Sequence, residues 1–408
     1  MLAIRSARLF DGERFASGPA TVIVDGTTIT GVERGWPDVP EGIAVLDVGE
    51  ATVLPGLVDT HVHLVGDSGL GALDRVAGYT AHAMTQVVKE SLRRQLAGGV
   101  TTVRDLGDRN WVAVDHRDRQ REERATGRGV SREPTVLASG PPITSPGGHC
   151  HYMGGEVHDL IDMARAVRER ADRGVDIVKV MASGGLNTPG TDVLRTQFTA
   201  EEIAFLVQEA HRHGLAVTAH AHALPAVEQA LAAGVDGMEH CSCLTENGVR
   251  VTSDVLTTLA ERQIPIGGAL GAPPAAAFAH APAAIRALMA RAGVTPETFK
   301  QMRLQTVRRM HQAGVRFVAG RDSGISPFLA QGSLRDDVAF YVEAGASVSD
   351  ALAAATSLAA DACGVGKRKG RIRPGHDADI LAVRGNLKND VTALANVRAL
   401  VLAGIQVT

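Results

Sequence analysis

The stretch Leu54-Pro55-Gly56-Leu57-Val58-Asp59-Thr60-His61-Val62-His63-Leu64 reads as a strand that ends in two histidines one residue apart. Alternation along a strand places both imidazoles on one side. Two convergent imidazoles at a strand's C-terminal end form half of a site for Zn2+ or another borderline transition ion. Such a pair, taken alone, is as often two ordinary strand histidines. Its meaning depends on what the rest of the chain brings to it.

Downstream, from about residue 57 to 365, apolar strands alternate with amphipathic helices. Strands are expected to end at His61/His63, at Thr101-Thr102-Val103-Arg104-Asp105, and at Val136-Leu137-Ala138-Ser139. The next are expected at Ile177-Val178-Lys179-Val180, at Val217-Thr218-Ala219-His220, at Met238-Glu239-His240, and over 264–270 and 317–322. Helical spacing is clearest over 200–213, 225–233 and 296–313, with Gly214, Gly234 and Gly314 just past the ends. Eight such units predict an α/β fold, a (β/α)8 TIM-like barrel with functional residues at the C-terminal strand ends. No G-x-G-x-x-G follows a strand, which counts against the rival open doubly wound sheet.

The two chain ends have a different texture, with short apolar runs broken by Asp11-Gly12 and Asp25-Gly26 early and by Pro374-Gly375 and Gly404 late. They predict one accessory β-sandwich domain made of residues 1–56 plus 366–408, flanking a barrel domain over 57–365.

Composition narrows the partners. The chain has 408 residues, 45% hydrophobic and 21% charged, as in an ordinary globular protein with room for a large core. Its formal net charge of -3 gives no electrostatic reason for a nucleic-acid or anionic-membrane partner, so a small-molecule substrate is expected. No uninterrupted apolar run of about 18 residues is present, and the N-terminus lacks a leader-like apolar region. Cys150, Cys241, Cys243 and Cys363 are too few and too scattered for a disulfide framework, which fits a reducing cytoplasm.

At the expected strand ends stand His61, His63, Lys179, His220, His240 and Asp322. Singly, each has a bland structural explanation. Together on one barrel face, several imidazoles and a lysine would be costly in low dielectric unless a divalent cation tied them together.

This order resembles the amidohydrolase superfamily, in which metal-dependent members carry H-x-H on the first strand, Lys on the fourth, single His on the fifth and sixth, and Asp on the eighth. The likeness spans nearly the whole chain, flanking sheet included. It implies that His61, His63 and Asp322 bind the more buried of two divalent ions, expected to be Zn2+, and that His220 and His240 bind the other. It also implies that Lys179 is carboxylated by CO2 to a carbamate that bridges them. Asp176 to Gly185, with Gln197-Phe198-Thr199-Ala200-Glu201-Glu202 and Gly147-Gly148-His149-Cys150-His151-Tyr152-Met153-Gly154-Gly155-Glu156, is similar to the Xaa-Pro dipeptidase and Xaa-Arg/Lys carboxypeptidase cluster near the imidazolonepropionases. The wording His220-Ala221-His222 departs from the His-Ala-Tyr of proline-dipeptide members, which argues against proline specificity.

The expected chemistry is hydrolysis of an amide in a dipeptide or N-acyl amino acid by a bridging hydroxide, since a bound divalent ion lowers the pKa of water to roughly 7. Asp322 is the candidate to take the proton and pass it to the departing amine. His222 and His149 are candidates to contact the carbonyl oxygen or a substrate carboxylate. Lactonase or phosphotriesterase chemistry is the near alternative, and a single-metal cyclic-imide hydrolase or deaminase the next. Family likeness also implies a homo-oligomer. Cys241 and Cys243, His211 and His213, and the turn Lys367-Arg368-Lys369 read as structural or solvated, while residues 270–293 could cover the site.

Overall fold

The computed structural model describes residues 1–126, 132–269, 271, 275–281 and 283–408. Residues Leu57–Val62 and Val100–Asp105 are buried at every position, the pattern of strands covered on both faces. They pair in parallel with each other and with Thr135–Ala138. A second parallel sheet follows the order Val178–Met181, Val217–His220, Gly237–Glu239, Ile266–Gly267. Single parallel bridges link the two sheets and their ends: Ile143 to Val180, Ile266 to Phe317, and Val62 to Ser323. The expected strand over 317–322 is thus present as isolated bridges, and Leu270, the end of the expected seventh strand, lies outside the described residues.

The helices between strands match their sequence signals. Thr199 caps Ala200–Arg212 in a capping box with Glu202, and Gly234, in a left-handed conformation, ends Leu224–Ala233. Pro296–Gln312 starts on the Thr295 cap with proline in its first turn.

The chain ends supply two more sheets. One holds Leu2–Ser6, Ala20–Asp25, Thr28–Arg34 and Ala44–Asp47, and the other joins Arg8–Leu9 and Thr52–Pro55 to Ile380–Val383, Val397–Leu402 and Ile405–Gln406. Alternation decides what each face of the second sheet meets. Ile380, Ala382, Ala399 and Val401 join a core with Ile4, Val22 and Ile29, whereas Leu381, Val383 and Leu400 join the large core of the α/β middle. The basic turn is less solvated than its composition suggests: Lys369 is buried and paired with Asp379 at 2.5 Å and Asp377 at 3.1 Å. Among the described residues, no helix is long and apolar enough to cross a membrane.

Candidate metal centre

Asp59, buried two residues before His61, ties together the two segments that carry the first cluster of candidate ligands. Its Oδ1 accepts hydrogen bonds from the backbone N–H of His61 at 3.2 Å and of Arg321 at 3.0 Å, and its Oδ2 accepts from Ser323 Oγ at 2.9 Å. The residues on either side of Asp322 are therefore held against the first strand. Asp322 Oδ1 then lies 3.4 Å from His61 Nε2 and 3.2 Å from His63 Nε2. The Nδ1 atoms face away, His61 donating to Glu239 Oε2 and His63 to the Gly107 carbonyl, both at 3.0 Å. These partners leave each Nε2 lone pair directed at the cavity, as metal ligation needs.

Glu239 itself accepts from Thr218 Oγ1 at 2.8 Å and Arg104 Nη2 at 3.2 Å. Burial opposes its charge, but His61, Lys179 and Arg104 hold the carboxyl well below its usual range. Strand alternation would send Glu239 and His240 to opposite faces. At His240 the backbone turns to a φ of +69°, the strand ends, and both side chains reach the interior. Gly268 permits the approach: its φ is +76°, and an added Cβ would stand 2.8 Å from His61 Nδ1.

A second cluster consists of His220, His222 and His240, whose candidate ligand atoms lie within 4.8 Å of one another, as do those of His61, His63 and Asp322. His220 donates from Nε2 to the Gly184 carbonyl at 3.3 Å, leaving Nδ1 for the cavity, while His240 donates from Nδ1 to the Gly268 carbonyl at 3.0 Å, leaving Nε2. The ring centroids of His61 and His240 are 5.3 Å apart and those of His240 and His220 4.8 Å, so the clusters are continuous. Burial and mutual repulsion keep His220 and His240 neutral far below the ordinary histidine range. Asp322, despite burial, stays ionised because His61 and His63 face it. His63 is the exception among these rings, since the Asp322 contact outweighs burial and raises it.

Lys179 is 1% exposed, and its Nζ has no hydrogen-bond partner. Burial brings the amine down to about 8, against the pull of Glu239 and Asp322. An unpartnered buried ammonium in a cavity lined by His61, His63, His149, His220, His222 and His240 is expensive, and a neutral amine there would be a nucleophile toward CO2. The donor set fits divalent cations: imidazole nitrogens and one carboxylate in two clusters, with a buried lysine amine in the same cavity.

The structure brings all the predicted site residues to one cavity of about 430 Å³, lined by His61, His63, His149, Lys179, His220, His222, His240 and Asp322. His222 bonds Ser242 Oγ at 2.9 Å through Nδ1, and His149 bonds Thr188 Oγ1 at 2.7 Å. Burial pushes both down to about 3, so each is a neutral hydrogen-bonding group at pH 7. Gln197 holds His149 in place by accepting from its backbone N–H while donating to the Met181 carbonyl at 2.7 Å. Cys241 and Cys243 are buried with left-handed backbones and do not enter a ligand cluster among the described residues. His211 pairs with Asp236 at 2.8 Å on the surface. Phe278 and Met289 from the expected covering segment line the cavity, whereas 272–274 and 282 of that segment lie outside the described residues.

Sequence reasoning missed Asp59, Glu239, Arg104 and Arg303. Glu239 adjoins His240 and Asp59 belongs to the opening stretch, so position pointed to both. Arg303 left no local signal, since only the fold turns its side of the helix Pro296–Gln312 into the cavity.

Residues 52–407 match the family model described as the amidohydrolase family. The chain is 25% identical over 388 residues to the ochratoxinase of Aspergillus niger, covering 85% of this chain and 73% of that protein. It is 28% identical over 266 residues to the imidazolonepropionase of Hyphomonas neptunium, covering 55% of this chain and 60% of that one. A crystal structure of a Xaa-Pro dipeptidase with bound methionine superposes with a TM-score of 0.85 at 24% identity, covering 99% of each chain.

Proposed function

The chain belongs to the amidohydrolase family and is a hydrolase, and from that premise we propose that it cleaves the amide of a dipeptide or N-acyl amino acid with two divalent cations, Zn2+ by preference. The observation that carries this reading is Lys179, a buried amine without a hydrogen-bond partner in the cavity that both histidine clusters line. A carbamate at that position would give the second cluster the anionic ligand it lacks. His61, His63 and Asp322 would hold one ion and His220 and His240 the other, with the Lys179 carbamate between them. Bound there, the ions would acidify a water and polarise the scissile carbonyl.

The remaining steps fall to side chains. Asp322 Oδ1, already within 3.4 Å of two imidazoles, takes the proton from the attacking water and returns it to the departing amine. His149 and His222, both neutral at pH 7, orient the carbonyl oxygen and the tetrahedral oxygen that develops from it. The bridges at 143, 266 and 62 support reading the two parallel sheets as arcs of one (β/α)8 barrel over 57–365. The separate core shared by residues 4–53 and 372–401 supports an accessory sandwich made of 1–56 and 366–408.

Metal analysis of wild type and Lys179→Ala, purified without chelator, tests the reading. Two ions per chain in wild type, falling in the variant, are expected, together with turnover in a screen of dipeptides and N-acyl amino acids. One ion untouched by the substitution would remove the carbamate, and turnover confined to lactones, aryl phosphotriesters or cyclic imides would remove the amide substrate.

A further inference from the structure

The cavity has a charge pattern that selects between the two substrate classes just named, and the inference rests on that reading. Along the helix Pro296–Gln312, Phe299, Met302 and Arg303 all face the cavity, as spacings of three and four residues require. Arg303 is 5% exposed, and it and Lys179 are the only lysine or arginine among the described lining residues. Its guanidinium sits close enough to His222 to repel that ring's charged form. The acids in the lining, Asp322 apart, are Asp74 and Glu246, and both are exposed at the mouth. Apolar side chains, among them Phe278, Phe299, Phe328 and Met302, cover the wall between. Leu70 and Leu186, 51% and 36% exposed, extend that apolar surface to the rim.

A free dipeptide presents an ammonium on its acyl half, and its burial calls for an acid within the cavity. Among the described residues no buried acid besides Asp322 lines this cavity, and Asp322 is committed to the imidazoles. What the cavity offers instead is a buried planar cation and an apolar wall. Arg guanidinium matches carboxylate in charge and in its two-pronged geometry.

The geometry points to Arg303 as the residue that anchors the carboxylate of the departing amino acid, with an apolar or aromatic acyl group packed against the phenylalanine-lined wall, so that the substrate is an N-acyl amino acid without a free amine on its acyl half. Water adds across the amide in the balanced reaction: the acyl carbon gains hydroxyl, the C–N bond breaks, and nitrogen leaves as a free amine with the second proton. Arg303 acts on affinity for the carboxylate and not on the bond being broken.

The test compares N-benzoyl amino acids with their primary carboxamides and with free dipeptides, using metal-loaded protein. Wild type is expected to prefer the free acid to the carboxamide by roughly 100-fold in kcat/KM, the scale of a charged hydrogen-bonding pair. Arg303→Met should lose that preference, mainly through KM on the free acid, with a far smaller loss on the carboxamide, while keeping its metal. Arg303→Lys should retain part of the preference. Equal losses on acid and carboxamide at normal metal content would overturn the anchor. So would a wild type that treats the two alike, a result that decides the matter even if Arg303→Met fails to fold, or one that favours free dipeptides. Metal-loaded wild type inactive on every amide would instead sink the underlying amide-substrate reading.

Discussion

The two histidine clusters of the candidate metal centre are built from the same residue type but backed by different chemistry. Behind His61 and His63 stand acids: Glu239 accepts from one ring, Asp322 faces both, and Asp59, Asp105 and Asp108 lie buried around them. Behind His220, His222 and His240 stand neutral groups, the carbonyls of Gly184 and Gly268 and the hydroxyl of Ser242. Carboxylates would neutralise a cation on the first half directly. The second half has only imidazoles, so a cation there would need an anion from elsewhere, which in the proposed reading is the carbamate of Lys179.

The contrast breaks most visibly at Asp322. Asp322→Asn keeps the shape but removes both the anion and the proposed proton carrier, and kcat should fall by about 1,000-fold or more. A loss under about tenfold, with metal content intact, would leave Asp322 as charge compensation only. Glu239→Gln probes the same half one layer out. It should weaken binding of the first metal about 10- to 100-fold, since the His61 tautomer and basicity depend on that carboxylate, and competition with a chelator reads the change.

Asp108 tests whether the acid-rich half carries a stability cost. Its Oδ2 accepts from the Ala113 N–H at 2.7 Å, while Oδ1 is buried without a partner. Burial, reinforced by Asp105, raises the carboxyl from 3.8 to about 7. Between those values the folded state binds a proton that the unfolded chain has released, so this group's contribution to stability is full near pH 4 and declines as pH rises toward 7. Asp108→Asn should remove roughly 1–3 kcal/mol of that decline. Urea midpoints of metal-free protein at several pH values measure it, and parallel curves for both proteins would refute it. Ser242→Ala, on the neutral half, should have the smallest effect, within about fivefold on metal affinity and turnover, because a neutral hydrogen bond to His222 contributes only about 1 kcal/mol.

Strand alternation, the buried runs and the glycine stops were legible in the amino-acid order because they are local consequences of backbone geometry. His61, His63, Lys179, His220, His240 and Asp322 were legible too, each standing where an apolar run stops. Their common face follows from parallel strands whose C-terminal ends lie together. His149 and His222 were found from their loops, and the structure places both rings in the cavity.

Other features needed contacts between residues far apart in the chain. Asp59 reaches across 262 positions to the Arg321 N–H, and Glu239 across 178 to His61. Their places beside His240 and in the opening stretch are the one local signal, and it does not separate these acids from ion-paired core residues. Lys369 was misjudged for the same reason, since its charge suggested water and its fold partners are Asp377 and Asp379.

By itself the sequence determined the α/β alternation, the strand-rich ends and most of the residues that the fold gathers as candidate metal ligands, because periodicity and side-chain chemistry are written along the chain. Only the tertiary structure decided that one histidine cluster is backed by acids and the other by neutral groups, that Lys179 lacks a partner, and that Arg303 enters the cavity. Burial and pairing are properties of the space between elements, and that space exists only once the strands and helices have packed.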